Sequence, residues 1–169
     1  VVKVECSGEH CALGACSACS GGAPAAVTTP ATAPAATPAP TALPLTQAHI
    51  FAEPKIEAAV REALGKSTGD ITYEALLKVT ELEVSGLFGK AISDVSDLSH
   101  MTNLTYLDLS MNDISDITPL ANLKKLVFLQ ISDNEISDLT AIAGLTNLKT
   151  LYIDNNPIED FSPLYRLTG

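Results

Sequence analysis

Residues 101–122 read MTNLTYLDLSMNDISDITPLAN, and the phrase returns at 123–144 as LKKLVFLQISDNEISDLTAIAG and at 145–166 as LTNLKTLYIDNNPIEDFSPLYR, a period of 22 residues. The apolar ladder is Leu104/Leu126/Leu148, Leu107/Leu129/Leu151, Leu109/Ile131/Ile153, Ile114/Ile136/Ile158 and Leu120/Ile142/Leu164. Asn112/Asn134/Asn156 and Asp116/Asp138/Asp160 recur at fixed offsets beside it. A fixed period carrying LxxLxLxxN predicts a solenoid, because one such unit cannot bury its own leucines and must bury them against its neighbours.

Within each copy the LxL triplet is the strand. Alternation turns Leu107 and Leu109 inward and leaves Tyr106, Asp108 and Ser110 facing out. Successive copies should then pair their strands in parallel. On the opposite side, Thr118-Pro119-Leu120 and Ser162-Pro163-Leu164 place a capping hydroxyl before a proline, with Thr140-Ala141-Ile142 as the variant, which predicts a short 3₁₀ or helical turn. The asparagines stand where the chain leaves the strand, and their amides can bond the backbone of their own and the neighbouring loop.

A degenerate first coil precedes the three regular ones. Val79, Leu82 and Val84 align with Leu104, Leu107 and Leu109, and Ile92, Asp94, Val95 and Leu98 with Ile114, Asp116, Ile117 and Leu120. The longer interval between Val84 and Ile92 predicts a bulging loop over Ser85 to Lys90. Before it, Pro54 opens a helix whose Ile56, Ala59, Val60, Ala63 and Leu64 form an apolar stripe, stopped by Gly65. A second short helix is predicted from Tyr73 to about Lys78, capped by Thr72 or Asp70. The pair is placed to cover the first coil's leucines.

The boundaries that result are a cysteine-containing segment at 1–22, a tether at 23–47, a helical cap at 48–78 and four coils at 79–169. Ala23 to Thr46 holds only Ala, Pro, Thr, Val and Leu, with six prolines and no charge, so it is expected to stay extended and disordered. The chain carries 20 acidic against 10 basic side chains. That excess repels phosphate backbones and argues against nucleic-acid binding. There is no uninterrupted apolar run of the roughly 18 residues a membrane helix needs.

The phrase IFAEPKIEAAVREALGKSTGDITYEALLKVTELEV at 50–84, followed by LTYLDLSMNDISDITPLANL at 104–123 and its copies, resembles internalin-like bacterial leucine-rich repeat proteins, helical cap included. The resemblance spans about residues 49–169. It implies an α/β solenoid: a right-handed horseshoe with parallel strands on the concave face and short turns on the convex face. It also implies a surface or secreted protein that binds another protein. Host-binding members commonly carry more repeats and a following domain. More chain is therefore expected after Gly169, where the last coil's leucines and the strand near Tyr152 would otherwise stand uncovered and invite self-association or fraying.

The register lists the concave strip in columns: Glu81/Tyr106/Phe128/Thr150, Glu83/Asp108/Gln130/Tyr152 and Ser85/Ser110/Ser132/Asp154. Its candidate partner-binding residues are Tyr106, Asp108, Phe128, Gln130, Tyr152 and Asp154. Aromatics on an outward face suit a binding hot spot, while strand propensity and cross-strand stacking account for them equally well, and both readings stay open here. A spacer segment displaying something else is the alternative to a binding module. Asp116, Asp138 and Asp160 invite a calcium reading, but no DxDxDG loop supports it, and an aspartate before a short turn commonly bonds backbone amides. His10, His49 and His100 have no evident nucleophile or acid partner, so no catalytic role and no cofactor are expected.

The cysteines all lie near the start. Cys11, Cys16 and Cys19 have the C-x₄-C-x₂-C spacing of a plant-type two-iron ferredoxin loop, which makes an iron–sulfur electron-transfer protein a minor alternative, although the fourth ligand is missing. A zinc clip from Cys6, His10, Cys16 and Cys19 is equally short of scaffold. Leu13-Gly14-Ala15-Cys16 resembles a bacterial lipobox, with Cys16 as the lipidated residue and a membrane reached only through that anchor. Residues 1–12 lack the apolar stretch such a leader requires.

Overall fold

The computed structural model describes residues 3–5, 45–86 and 91–167, with residues 3–5 as backbone only. The expectations of a disordered tether at 23–47, of cysteine chemistry or lipidation at Cys16, and of a loop bulging through Lys90 fall wholly or partly outside these residues.

Strands β2 (Glu81–Glu83), β3 (Tyr106–Asp108), β4 (Phe128–Gln130) and β5 (Thr150–Tyr152) pair in parallel, one per coil. Each is three residues long and buries only its central leucine completely, as at Leu129 and Leu151, both 0 % exposed. The 3₁₀ turns at Ser96–His100, Thr118–Asn122, Thr140–Gly144 and Ser162–Arg166 line the convex side. The chain is thus an α/β solenoid whose apolar columns fill the space between the sheet and the turns. Burying each leucine fully is worth about 2 kcal/mol, and every one of them is shared between adjacent coils.

The asparagine column joins the coils. Asn134 Oδ1 accepts from Ile114 N–H of the preceding coil, and its Nδ2 donates to Leu109 O as well as to Ile131 O and Ser132 O of its own turn. Asn112 and Asn156 repeat the pattern on Ile92 and Ile136. Immediately before each asparagine the backbone is left-handed, at Met111 (φ 58°), Asp133 (φ 57°) and Asn155 (φ 53°). Gly86 follows the first coil's strand at the corresponding place, and a side chain there would run into the Met111 carbonyl. These left-handed positions were not anticipated from the sequence; Asn155 and Asp133 are residue types that tolerate them, and Met111 is not.

The aspartate column caps the turns. Asp94, Asp116, Asp138 and Asp160 each accept the backbone N–H two residues on, at Ser96, Thr118, Thr140 and Ser162. Among the described residues no three His, Cys, Asp or Glu side chains gather to hold a metal. The N–H and hydroxyl of Ser96 hold the Asp94 carboxyl below its ordinary value, and the hydroxyl and N–H of Thr140 do the same for Asp138.

Helix α1 (Pro54–Ala63) buries Ile56 and Val60, and Gly65 (φ 62°) ends it with Gly65 N–H on Glu62 O and Lys66 N–H on Arg61 O. Helix α2 (Tyr73–Leu76) is a single turn capped by Thr72, shorter than expected. The cap is latched to the first coil by Asp97, which is 4 % exposed. Its carboxylate accepts from Ala52 N–H, Glu53 N–H and His49 Nε2 (2.8 Å). The expectation that His49 has no acid partner is corrected by this bond, and His49 also packs its ring with those of Phe51, Tyr73 and His100. The partner lies 48 residues away, beyond the reach of any local pattern. Among the described residues, buried His49 Nδ1 has no hydrogen-bond partner.

Acid should weaken the fold in two windows. Burial, then the nearby His49, pushes the His100 pKa down, against a smaller opposing effect of Asp97. The unfolded chain therefore takes up this proton first, and stability falls as pH drops below about 6.5. Asp94 and Asp138 have lowered folded values, so their contribution is present above about 3.8 and fades below it. Thermal melts across pH should show both steps, and His100→Gln should remove the upper one.

Strand β1 (Lys3–Glu5) pairs in parallel with β5, giving the sheet order β1-β5-β4-β3-β2. This corrects the expectation of an open edge at Tyr152 and, with it, the ground for self-association there. Leu148, Leu151 and Ile153 are buried, while Leu164 is partly so.

Candidate functional site

The backbone register sets Glu81 beside Tyr106, Tyr106 beside Phe128 and Phe128 beside Thr150, and likewise Glu83, Asp108, Gln130 and Tyr152. These are the first two of the concave columns read from the sequence. The structure sets Tyr106, Asp108, Phe128, Gln130 and Tyr152 on this one face, spanning about 10 Å from β3 to β5, and Asp154 follows two residues beyond Tyr152.

Tyr106 and Phe128 stack face to face with ring centroids 4.5 Å apart and planes at 8°. Tyr152 adds a tilted contact with Phe128 at 5.6 Å. All three are half-buried, so the rings shelter one another and still present an apolar stripe across three coils. Cross-strand stacking therefore explains part of their presence and also makes the stripe rigid, which lowers the ordering cost of any contact made on it.

Burial alters the part the polar candidates can take. Asp108 was expected to face out, but it is 8 % exposed and its Oδ1 accepts from both Ser110 N–H (2.8 Å) and Ser110 Oγ (2.7 Å). Ser110 and Ser132 are buried as well. Asp108 thus contributes negative potential from beneath the surface more than direct contact. Gln130 and Asp154 are half-buried. Burial raises the Tyr106 phenol above its ordinary pKa, and Asp108, Glu83 and Glu81 raise it further. The carboxylates Asp108, Glu83 and Glu81 thus set a negative field at Tyr106.

A groove lies on the cap side of β2, the strand next to the one that carries Tyr106. Between α1 and β2 lies an open space of about 670 Å³, walled by the small side chains Ala58, Ala59 and Ala63 and by Glu81 and Glu83. Its existence was not legible in the repeat, because it depends on where the cap helix sits. Among the described residues no helix is long and apolar enough to cross a membrane.

Comparison with known proteins gives the same architecture. A family profile described as leucine-rich repeats in two copies matches residues 124–166, and a single-repeat profile matches 100–117. No curated protein matches the chain. Among solved structures, an internalin from Listeria monocytogenes is 39 % identical over 70 % of this chain and 35 % of its own, with a TM-score of 0.66. The functional domain of InlJ from the same organism is 26 % identical over 64 % of this chain and 24 % of its own, with a TM-score of 0.55. That domain is described as including a cysteine ladder, whereas the coils here contain no cysteine. A Leptospira interrogans leucine-rich repeat protein shares the fold at 23 % identity and a TM-score of 0.50, over 60 % of this chain and 26 % of its own. The chain spans about a third of the internalin it matches at 39 % identity.

Proposed function

Since this chain is an internalin-like bacterial leucine-rich repeat protein, we propose that it is a non-catalytic recognition module that binds a protein through the concave face of its coils. Such solenoids offer a continuous surface rather than a pocket, and this one carries a stacked aromatic stripe where burial alone gives no reason for aromatics. The stacked Tyr106–Phe128 pair with Tyr152 beside it is the observation that carries the reading.

Placement outside the cell, on the surface or secreted, belongs to the same proposal, supported by the likeness to bacterial internalins. Where attachment is through lipid, Cys16 of the Leu13-Gly14-Ala15-Cys16 motif is the residue that carries it, and the mass of this cysteine's peptide in the membrane fraction checks that.

The test pairs concave and distant aromatics. Phe128→Ala with Tyr152→Ala should weaken binding to a cross-linked and purified partner by a hundredfold or so, on the usual scale of hot-spot truncation. Tyr165→Ala, at an aromatic 69 % exposed on the last 3₁₀ turn, should leave it unchanged. Circular dichroism of each variant separates lost binding from lost fold. If the concave double variant binds as the wild type does, the coils serve as a spacer and the recognition proposal is wrong.

A further inference from the structure

The groove between α1 and β2 has a chemistry that the aromatic stripe alone does not explain. Ala58, Ala59 and Ala63 of the helix are too small to fill it, and carboxylates from both walls, Glu62 from the helix and Glu81 and Glu83 from the strand, line it. Among the described residues that line it, Lys55 is the sole cationic side chain, against three carboxylates. The ion pairs of Arg61 with Glu57 and Lys78 with Glu74, and the buried hydrogen bond of His49 with Asp97, lie elsewhere among the described residues. Glu62, Glu81 and Glu83 are exposed.

None of the three rings lines the groove, and the two features adjoin through the strand register. Glu81 stands beside Tyr106 in the sheet and Glu83 beside Asp108, so the acidic wall ends where the ring stack begins. The raised Tyr106 phenol, to which burial, Asp108, Glu83 and Glu81 contribute, shows the negative field reaching the first ring. A guanidinium or ammonium group satisfies both halves of such a site: carboxylates bind its charge, and an aromatic face accepts it from above.

We propose that the groove receives an arginine or lysine side chain of the protein partner, held by Glu81 and Glu83 beside the Tyr106–Phe128 stack. This rests on the concave-face reading and names the chemistry of its partner: a segment with a basic residue at the end that lies against the cap. An anionic or wholly apolar segment is disfavoured, because among the described residues Lys55 alone lines the groove with a charge that could neutralise the three carboxylates.

The test uses the full chain and a fluorescent peptide of alternating glycine and arginine, with glycine–glutamate and glycine–serine peptides as controls, at physiological ionic strength. The arginine peptide should bind and the other two should not. Glu81→Gln with Glu83→Gln should weaken it about tenfold, and Phe128→Ala should weaken it further. A variant of equal charge altered on exposed loop positions, Glu135→Gln with Glu159→Gln, should change affinity less than about twofold. Equal losses in the two double variants would mean that the overall negative charge alone attracts the peptide, which overturns the proposal, as does failure of the arginine peptide to bind. If Phe128→Ala with Tyr152→Ala destroys binding of the natural partner while Glu81→Gln with Glu83→Gln does not, concave recognition survives and the cationic occupant is refuted.

Discussion

Replacing Asn134 by alanine should cost about 3 kcal/mol of stability, because the change strands buried backbone groups rather than deleting one contact. The side chain is buried and serves Ile114 N–H, Leu109 O, Ile131 O and Ser132 O together. Two of these partners belong to the preceding coil, so the loss falls on the interface between coils, which is where a solenoid keeps its stability. The thermal midpoint should drop by about 10 °C. Asn134→Asp should be no better: it keeps an acceptor for Ile114 N–H but turns a donor into an anion facing carbonyl oxygens. Asn156→Ala should cost less, since Asn156 is only half-buried at the end of the array. Equal midpoints for wild type and Asn134→Ala in circular dichroism melts would contradict the coil-joining role.

Asp97→Ala should have a comparable effect, about 3 kcal/mol, but a different signature. It removes the acceptor for Ala52 N–H, Glu53 N–H and His49 Nε2 and so opens the joint between cap and first coil. Hydrogen exchange should then speed up through α1 and α2, while the amides of β4 and β5 keep their protection. Asp97→Asn, which retains one oxygen and the shape, should fall between. The groove between α1 and β2 depends on this joint, so binding of the arginine peptide should suffer in Asp97→Ala even where the coils remain folded.

The repeat was legible because a 22-residue period leaves each apolar column only one place to go. Once Leu107, Leu129 and Leu151 turn inward, Tyr106, Phe128 and Tyr152 must stand on the concave side, and the register follows without further information. The cap helix was legible for a similar reason, through Pro54, the spacing of Ile56 and Val60, and Gly65. Contacts between segments far apart in the chain were not. The Asp97 latch to His49 has no periodic signature, and one aspartate in a 3₁₀ turn looks like any other. The left-handed column was hidden because its three copies, Met111, Asp133 and Asn155, share no residue type and Met111 does not favour that conformation, while the coil-to-coil hydrogen bonds around it impose it. Asp108 illustrates the remaining gap: alternation gave its direction correctly and its burial wrongly, since Ser110 folds over it. The strand at Lys3–Glu5 lies far from β5 in sequence, and nothing in so short a stretch announced that it would pair there.

The central claim is that the concave strip is where this solenoid meets its partner. It is tested most directly by titrating isotope-labelled chain with the purified partner and recording which amide signals move. Shifts gathered on Glu81 to Glu83, Tyr106 to Asp108, Phe128 to Gln130 and Thr150 to Tyr152 are the predicted result. Shifts confined to the convex turns at 118–122, 140–144 and 162–166, with the four strands unmoved, would contradict it.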